Sequence, residues 1–175
     1  MKAFGYYWGI TGVLVILLFA IIRLSFRVFD MLSYPLSVWQ WLGLVMFALY
    51  MAYAEGYKGF HLNFAPRVIT RARFFLDKNN LKRSRYVILA PLLCMGYIHA
   101  TKKRKLVSFL LTSAIVLLVL LVSRLPQPWR GIVDVGVVLG LFLGVTSIVY
   151  FWIQSLKEGW VSPIPADFPG GEQEK

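Results

Sequence analysis

The chain has 175 residues, 58% of them hydrophobic and 16% aromatic, with a mean hydropathy of +0.65; a water-soluble fold of this length cannot hide so much apolar surface. Its formal net charge of +11 does not point to nucleic acid, because the basic residues fill the breaks between apolar runs, where membrane topology places them. With Cys94 as the only cysteine, an intramolecular disulfide is excluded and the residue reads as a small core side chain.

The first apolar run, Tyr6 to Ile22, is followed by Arg23 and Arg27 rather than by a small-residue cleavage site. It is expected to be an uncleaved transmembrane helix. The second, Leu36 to Ala54, is also long enough to span. After it, the stretch from Glu55 to Arg85 carries eight basic and two acidic residues. Inside that stretch Pro66 suits a first helical turn, and Val68, Ile69, Ala72, Phe75 and Leu76 share one face. Arg67, Arg71, Arg73 and Lys78 lie off that face, and Asn79 and Asn80 offer a stop. The pattern predicts a basic amphipathic helix over 65–79, resting on the cytoplasmic surface.

The third run, Tyr86 to Ala100, would reach only about 22 Å as a helix and contains Pro91 and Gly96. A second basic block, Lys102, Lys103, Arg104 and Lys105, follows it. Both basic stretches resist translocation. The run is therefore expected to dip into the membrane and return on the same side, or to lie buried against the other helices. Two further spans are expected at 106–123 and 131–153. The fold class is then an all-α membrane protein with four transmembrane helices at 6–22, 36–54, 106–123 and 131–153, a short dipping segment at 86–100, and both termini cytoplasmic. The alternative is five transmembrane helices, which exports one of the basic blocks. Residues 1–161 form the helical membrane domain, and residues 162–175, with three prolines, Gly170, Gly171 and acidic side chains, are expected to be a flexible acidic tail.

A Lys or Arg beside anionic headgroups contributes about 1 kcal/mol of attraction, so Arg67, Arg71, Lys102, Lys103, Arg104 and Lys105 mark a face for anionic lipid or an acidic partner. A plain topogenic signal accounts for the same charges. Gly136, Gly140 and Gly144 align on one face of the last span and admit close helix packing, whether by self-association, with another membrane protein, or within the chain. Asp134 stands one helical turn from Arg130 and is expected to pair with it. Glu55, His61 and His99 are the candidate metal ligands, because imidazole and carboxylate suit zinc or iron; no two of them share the i, i+3 or i, i+4 spacing of helical metal sites. No phosphate-cradling glycine loop, nucleophile elbow or cysteine pair is present, and no cofactor is expected. Trp8, Trp39, Trp41, Trp129 and Trp152 sit near run ends as interface anchors.

The segments Glu55-Gly56-Tyr57-Lys58-Gly59-Phe60, Ala65-Pro66-Arg67-Val68, Met95-Gly96, His99 to Arg104 and Gln127-Pro128-Trp129-Arg130-Gly131 resemble stretches of a family of small uncharacterised bacterial inner-membrane proteins, over about Trp41 to Phe151. The resemblance implies the bacterial inner membrane and transfers no activity and no functional residue. The expected role is a non-enzymatic accessory or scaffold subunit of a membrane complex, with a small transporter or channel as the alternative and a membrane metalloenzyme behind both.

Overall fold

In the computed structural model, which describes residues 2–76, 85–157 and 159–168, the chain is helices joined by turns, and no strand occurs among the described residues. Among the described residues, three helices are long and apolar enough to cross a membrane by length and composition: Phe4–Leu32, Lys102–Val122 and Trp129–Ser155. They are compatible with an integral membrane protein.

The first helix, α1 (Lys2–Leu32), does not stop at Ile22. Arg23 and Arg27, expected in a connecting loop, lie on its last turns, because nothing from Arg23 to Leu32 breaks a helix and long cationic side chains reach away from an apolar stem. The next helix begins where Ser37 caps it. Ser37 Oγ accepts from the Gln40 N–H, and Gln40 Oε1 accepts from the Ser37 N–H at 2.9 Å, which satisfies two free donors at once.

From that cap, α2 (Val38–Met51) runs without interruption into a π-helical segment, Ala52–Phe64, and then into α3 (Ala65–Ala72) and one 3₁₀ turn, Arg73–Phe75. The loop expected from Glu55 is thus helical in its first part. The amphipathic helix is also corrected: its apolar face is not laid on a surface, since Ala65, Pro66, Val68, Ile69 and Ala72 are buried in the core. Its expected end, 77–79, lies outside the described residues.

Residues 86–100 are not one helix. Two short helices, α4 (Arg85–Ile88) and α5 (Ala90–Cys94), are separated at Leu89, and Gly96 at φ +88° then turns the chain back. The segment packs on α1, where Gly9 and Gly12 leave room for Ala90, Cys94 and Pro91. A Cβ at Gly9 would stand 2.8 Å from Cys94 Sγ. The basic block Lys102 to Lys105 forms the first turn of α6 (Lys102–Val122), capped by Thr101. The last helix is α7 (Trp129–Ser155).

α7 is the centre of the packing. α1 runs antiparallel to it, with Tyr6 Oη 3.0 Å from Ser155 Oγ at one end and Gly131 against Met31 at the other. α2 and the π-helical segment run parallel to it. Their side chains fill the glycine strip: Phe47 and Met51 lie on Gly136, Glu55 on Gly140, and Phe60 on Gly144. Among the alternatives for that strip, packing within the chain is the one observed. The proximal end of the molecule, where α1 starts and α7 finishes, also holds α3, α5 and the start of α6. There the buried cluster of Ile10, Val13, Val68, Ile69, Leu93 and Ile148 forms the core.

Of the three span-length helices, α6 is the least covered by the rest of the chain. Only Ser108 and Val122 of its residues are buried. It meets the rest of the chain near its start, where Ser108 Oγ donates to the Met95 carbonyl at 3.3 Å and the Tyr97 and Thr112 hydroxyls are hydrogen-bonded. Beyond Thr112, Val116, Leu117, Leu120 and Leu121 stand exposed.

Candidate functional site

The proximal end gathers the densest polar chemistry in the molecule, and Arg71 is at its centre. Expected on a lipid or partner face, Arg71 is instead wholly buried. The reason is its set of partners. Its Nε donates to the Leu93 carbonyl at 2.5 Å, Nη1 to Ala166 at 2.6 Å, and Nη2 to Ile98 at 2.8 Å and His99 at 3.0 Å. The Phe168 ring lies 4.7 Å from the guanidinium carbon, close enough for a cation–π contact. A planar five-donor fork matches carbonyls converging from three segments. Burial lowers its pKa to about 10, so at neutral pH the group remains charged.

Those contacts draw in the chain after Ser162, expected to be flexible. The described residues 162–168 lie against α3 and the turn before α6. Ser162 and Thr70 share a hydroxyl hydrogen bond, the Thr101 N–H donates to the Asp167 carbonyl at 3.0 Å, and Phe168 packs on Phe74 and His99. Arg73 fixes the approach by donating to the Trp160 carbonyl at 3.1 Å and stacking over its ring. Residues 169–175 lie outside the described residues.

Two more arginines stand beside this knot. Arg67 Nε is 3.3 Å from Asp167 Oδ2, and this is the only direct ion pair among the described residues. The alignment does not make a hydrogen bond, so the buried Arg67 Nε is left without one. Arg104 Nε is likewise buried without a hydrogen bond; it rests over Gly96, where an added Cβ would stand 3.1 Å from it. Arg67, Arg71, Arg104 and Asp167 lie within reach of one another's fields. Three cations therefore share one carboxylate. Lys102, Lys103 and Lys105, on the same turn of α6 as Arg104, are exposed. Asp167 and His99 both hold positive φ, 53° and 50°, a conformation non-glycine residues adopt rarely and at some cost.

The candidate metal ligands are not brought together. Glu55 faces Gly140, midway along α7. His61 Nδ1 lies 3.1 Å from Ser147 Oγ, about 10 Å further along that helix by its rise. His99 is against Phe74 and Phe168 at the proximal end. Among the described residues no group of three metal-ligating side chains occurs. Asp134 is 3% exposed with Oδ2 unbonded, and it forms no direct ion pair with Arg130.

Glu55 merits notice for its depth rather than for a metal. Placed near the end of a span by its sequence, it lies at the middle of α7's length because the helix continues through it. A carboxyl at that level is costly in lipid and lies where protons or ions are handled in membrane proteins. Its signal in the sequence was masked by the neighbouring Gly56 and Gly59, which look like loop residues. The glycines of α1 were also missed; Gly5, Gly9 and Gly12, at helical spacing, were the available sign that another segment docks there. Compared with protein-family models, curated proteins and solved structures, the chain matches none.

Proposed function

We propose that the chain is a four-span protein of the bacterial inner membrane that serves as a non-enzymatic accessory or scaffold subunit of a membrane complex, with its basic proximal end in the cytoplasm. In this reading the fourth span is α2 together with the π-helical segment. α2 alone has 14 residues and reaches only about 21 Å; the uninterrupted continuation supplies the remaining length. Both described ends of the chain then lie on the side carrying Arg67, Arg73 and Lys102 to Lys105, in keeping with the retention of Lys and Arg in the cytoplasm.

The observation that carries the scaffold role is α6, a span-length helix left almost bare by its own chain. Lipid covers apolar side chains at little cost, but an open groove on α6, lined by Phe109, Thr112, Val116, Leu117 and Leu120, also holds Ser113, whose hydroxyl has no hydrogen bond among the described residues while that of Thr112 is already bonded to Tyr97 and the Ser108 carbonyl. The Ser113 hydroxyl in such a groove suits a neighbouring helix, whose backbone or polar side chains complete its hydrogen bonds. A photo-crosslinking residue at Leu117 is expected to give a protein adduct of discrete mass in native membranes, whereas the same residue at Phe19 on α1, 65% exposed, gives lipid adducts only. Lipid adducts alone at both positions would remove the scaffold role.

A further inference from the structure

We infer that Arg67 and Arg104 form a binding site for a phosphate group, which the carboxylate of Asp167 fills as an internal stand-in. Two buried guanidinium Nε atoms, one on α3 and one on the first turn of α6, lack hydrogen-bond acceptors. An unpaired buried donor is costly, more so on a charged group. Asp167 supplies a single negative charge against three arginines and meets Arg67 at 3.3 Å without the alignment of a hydrogen bond. A tetrahedral phosphate carries more acceptor oxygens and up to twice the charge, and arginine forks suit it.

Arg104 reaches this site by lying close against the backbone at Gly96, where an added Cβ would stand 3.1 Å from both Arg104 Nε and Ser108 Oγ. Gly96 has no side chain beneath Arg104, and its φ of +88° disfavours any other residue. Asp167, in contrast, is held in a left-handed conformation. Its neighbours secure the tail without its carboxylate: Ala166 through Arg71, Phe168 through the stack on Phe74, and Asp167 itself through its carbonyl to Thr101. The carboxylate can therefore swing away while the backbone stays docked, and phosphate competes with Asp167 for the two arginines.

The inference deepens the proposed function and rests on its basic cytoplasmic face; the phosphate belongs either to an anionic lipid headgroup or to a free phosphate compound. The test uses the purified full chain in a zwitterionic detergent at fixed ionic strength, following the unfolding midpoint as inorganic phosphate or phosphatidic acid is added, with phosphatidylcholine as reference. Three variants accompany the wild type: Asp167→Asn, Arg104→Gln, and the triple exchange of Lys102, Lys103 and Lys105 to Gln. Arg104 Nε makes no hydrogen bond that Arg104→Gln could remove, so this variant is expected to keep the fold. Phosphatidic acid is expected to raise the midpoint of the wild type, Asp167→Asn to bind about tenfold more tightly, the difference one lost competing charge makes at short range, and Arg104→Gln to lose the response. A response to inorganic phosphate as well identifies the phosphate group itself as the ligand; a response to phosphatidic acid alone identifies a lipid headgroup. If phosphatidic acid stabilises Arg104→Gln as well as wild type while the triple lysine variant loses the effect, the arginine site is overturned and the basic face stands. If no variant distinguishes phosphatidic acid from phosphatidylcholine, both readings fall.

Discussion

Arg71 shows how one side chain can tie together segments that the chain keeps far apart. Its guanidinium donates to the carbonyls of Leu93, Ile98, His99 and Ala166; the Leu93 carbonyl also accepts from the Gly96 N–H at 3.1 Å. Replacing it with methionine keeps much of the stem's volume and removes all of these donors, at about 1–3 kcal/mol for each buried acceptor that neither water nor another donor reaches. Arg71→Met is expected to destabilise the chain by about 4 kcal/mol or more, read from thermal unfolding in detergent. Lysine preserves the charge but not the fork, so Arg71→Lys is expected to recover less than half of the loss. Recovery to wild-type stability would mean that charge, rather than the carbonyl geometry, holds the knot. The periodicity of α3 could not reveal this burial. Arg71 lies off the apolar stripe formed by Val68, Ile69 and Ala72, and what covers it comes from residues 22 or more positions away.

At the scale of the element, glycine spacing announced a packing face on α7 but not its occupant. Gly144 meets Phe60, where an added Cβ would stand 2.6 Å from the ring, while Gly43 of α2 has nothing within 4 Å. The two positions should therefore respond oppositely to the same exchange. Gly144→Ala is expected to lower stability by about 1–3 kcal/mol, because the ring and its helix must move, and Gly43→Ala to raise it by about 0.5–1 kcal/mol through the better helix propensity of alanine. Unfolding midpoints of the two variants, measured side by side, decide it; a Gly144→Ala protein as stable as Gly43→Ala would show that the strip is not closely packed. Helix existence was legible throughout, since apolar runs of this length have few other outcomes. Helix ends were not. Arg23 and Arg27 looked like a loop because charge was read as a stop, and Glu55, Gly56 and Gly59 looked like one because glycine was, although hydrogen bonding along the backbone tolerates both where neighbouring helices give support.

For the molecule as a whole, the alternation of α1, the α2–π segment, α6 and α7 between the two ends predicts which loops share a side. Single cysteines beside Lys103, Lys157, Tyr34 and Arg124, in a chain with Cys94 replaced by alanine, test it in intact cells. Tyr34 and Arg124 are expected to react with an impermeant reagent and Lys103 and Lys157 to stay shielded; Lys103 and Arg124 on one side would mean that α6 does not cross. Hydropathy made the three long apolar helices readable before any coordinates, whereas the proximal knot was not, because it depends on contacts among Arg67, Arg71, Arg104 and the stretch from Ser162 to Phe168 that no local pattern encodes.

The central place of α7 also governs the order in which the fold can be completed. α1, the π-helical segment and α3 all pack on the helix that is synthesised after them. Until it emerges, Glu55 has no Gly140 to lie on and Phe60 no Gly144. The contacts of α1 with α3 and α5, by contrast, are all made by segments that precede α7, so that part of the core can close first and the glycine strip of α7 completes it.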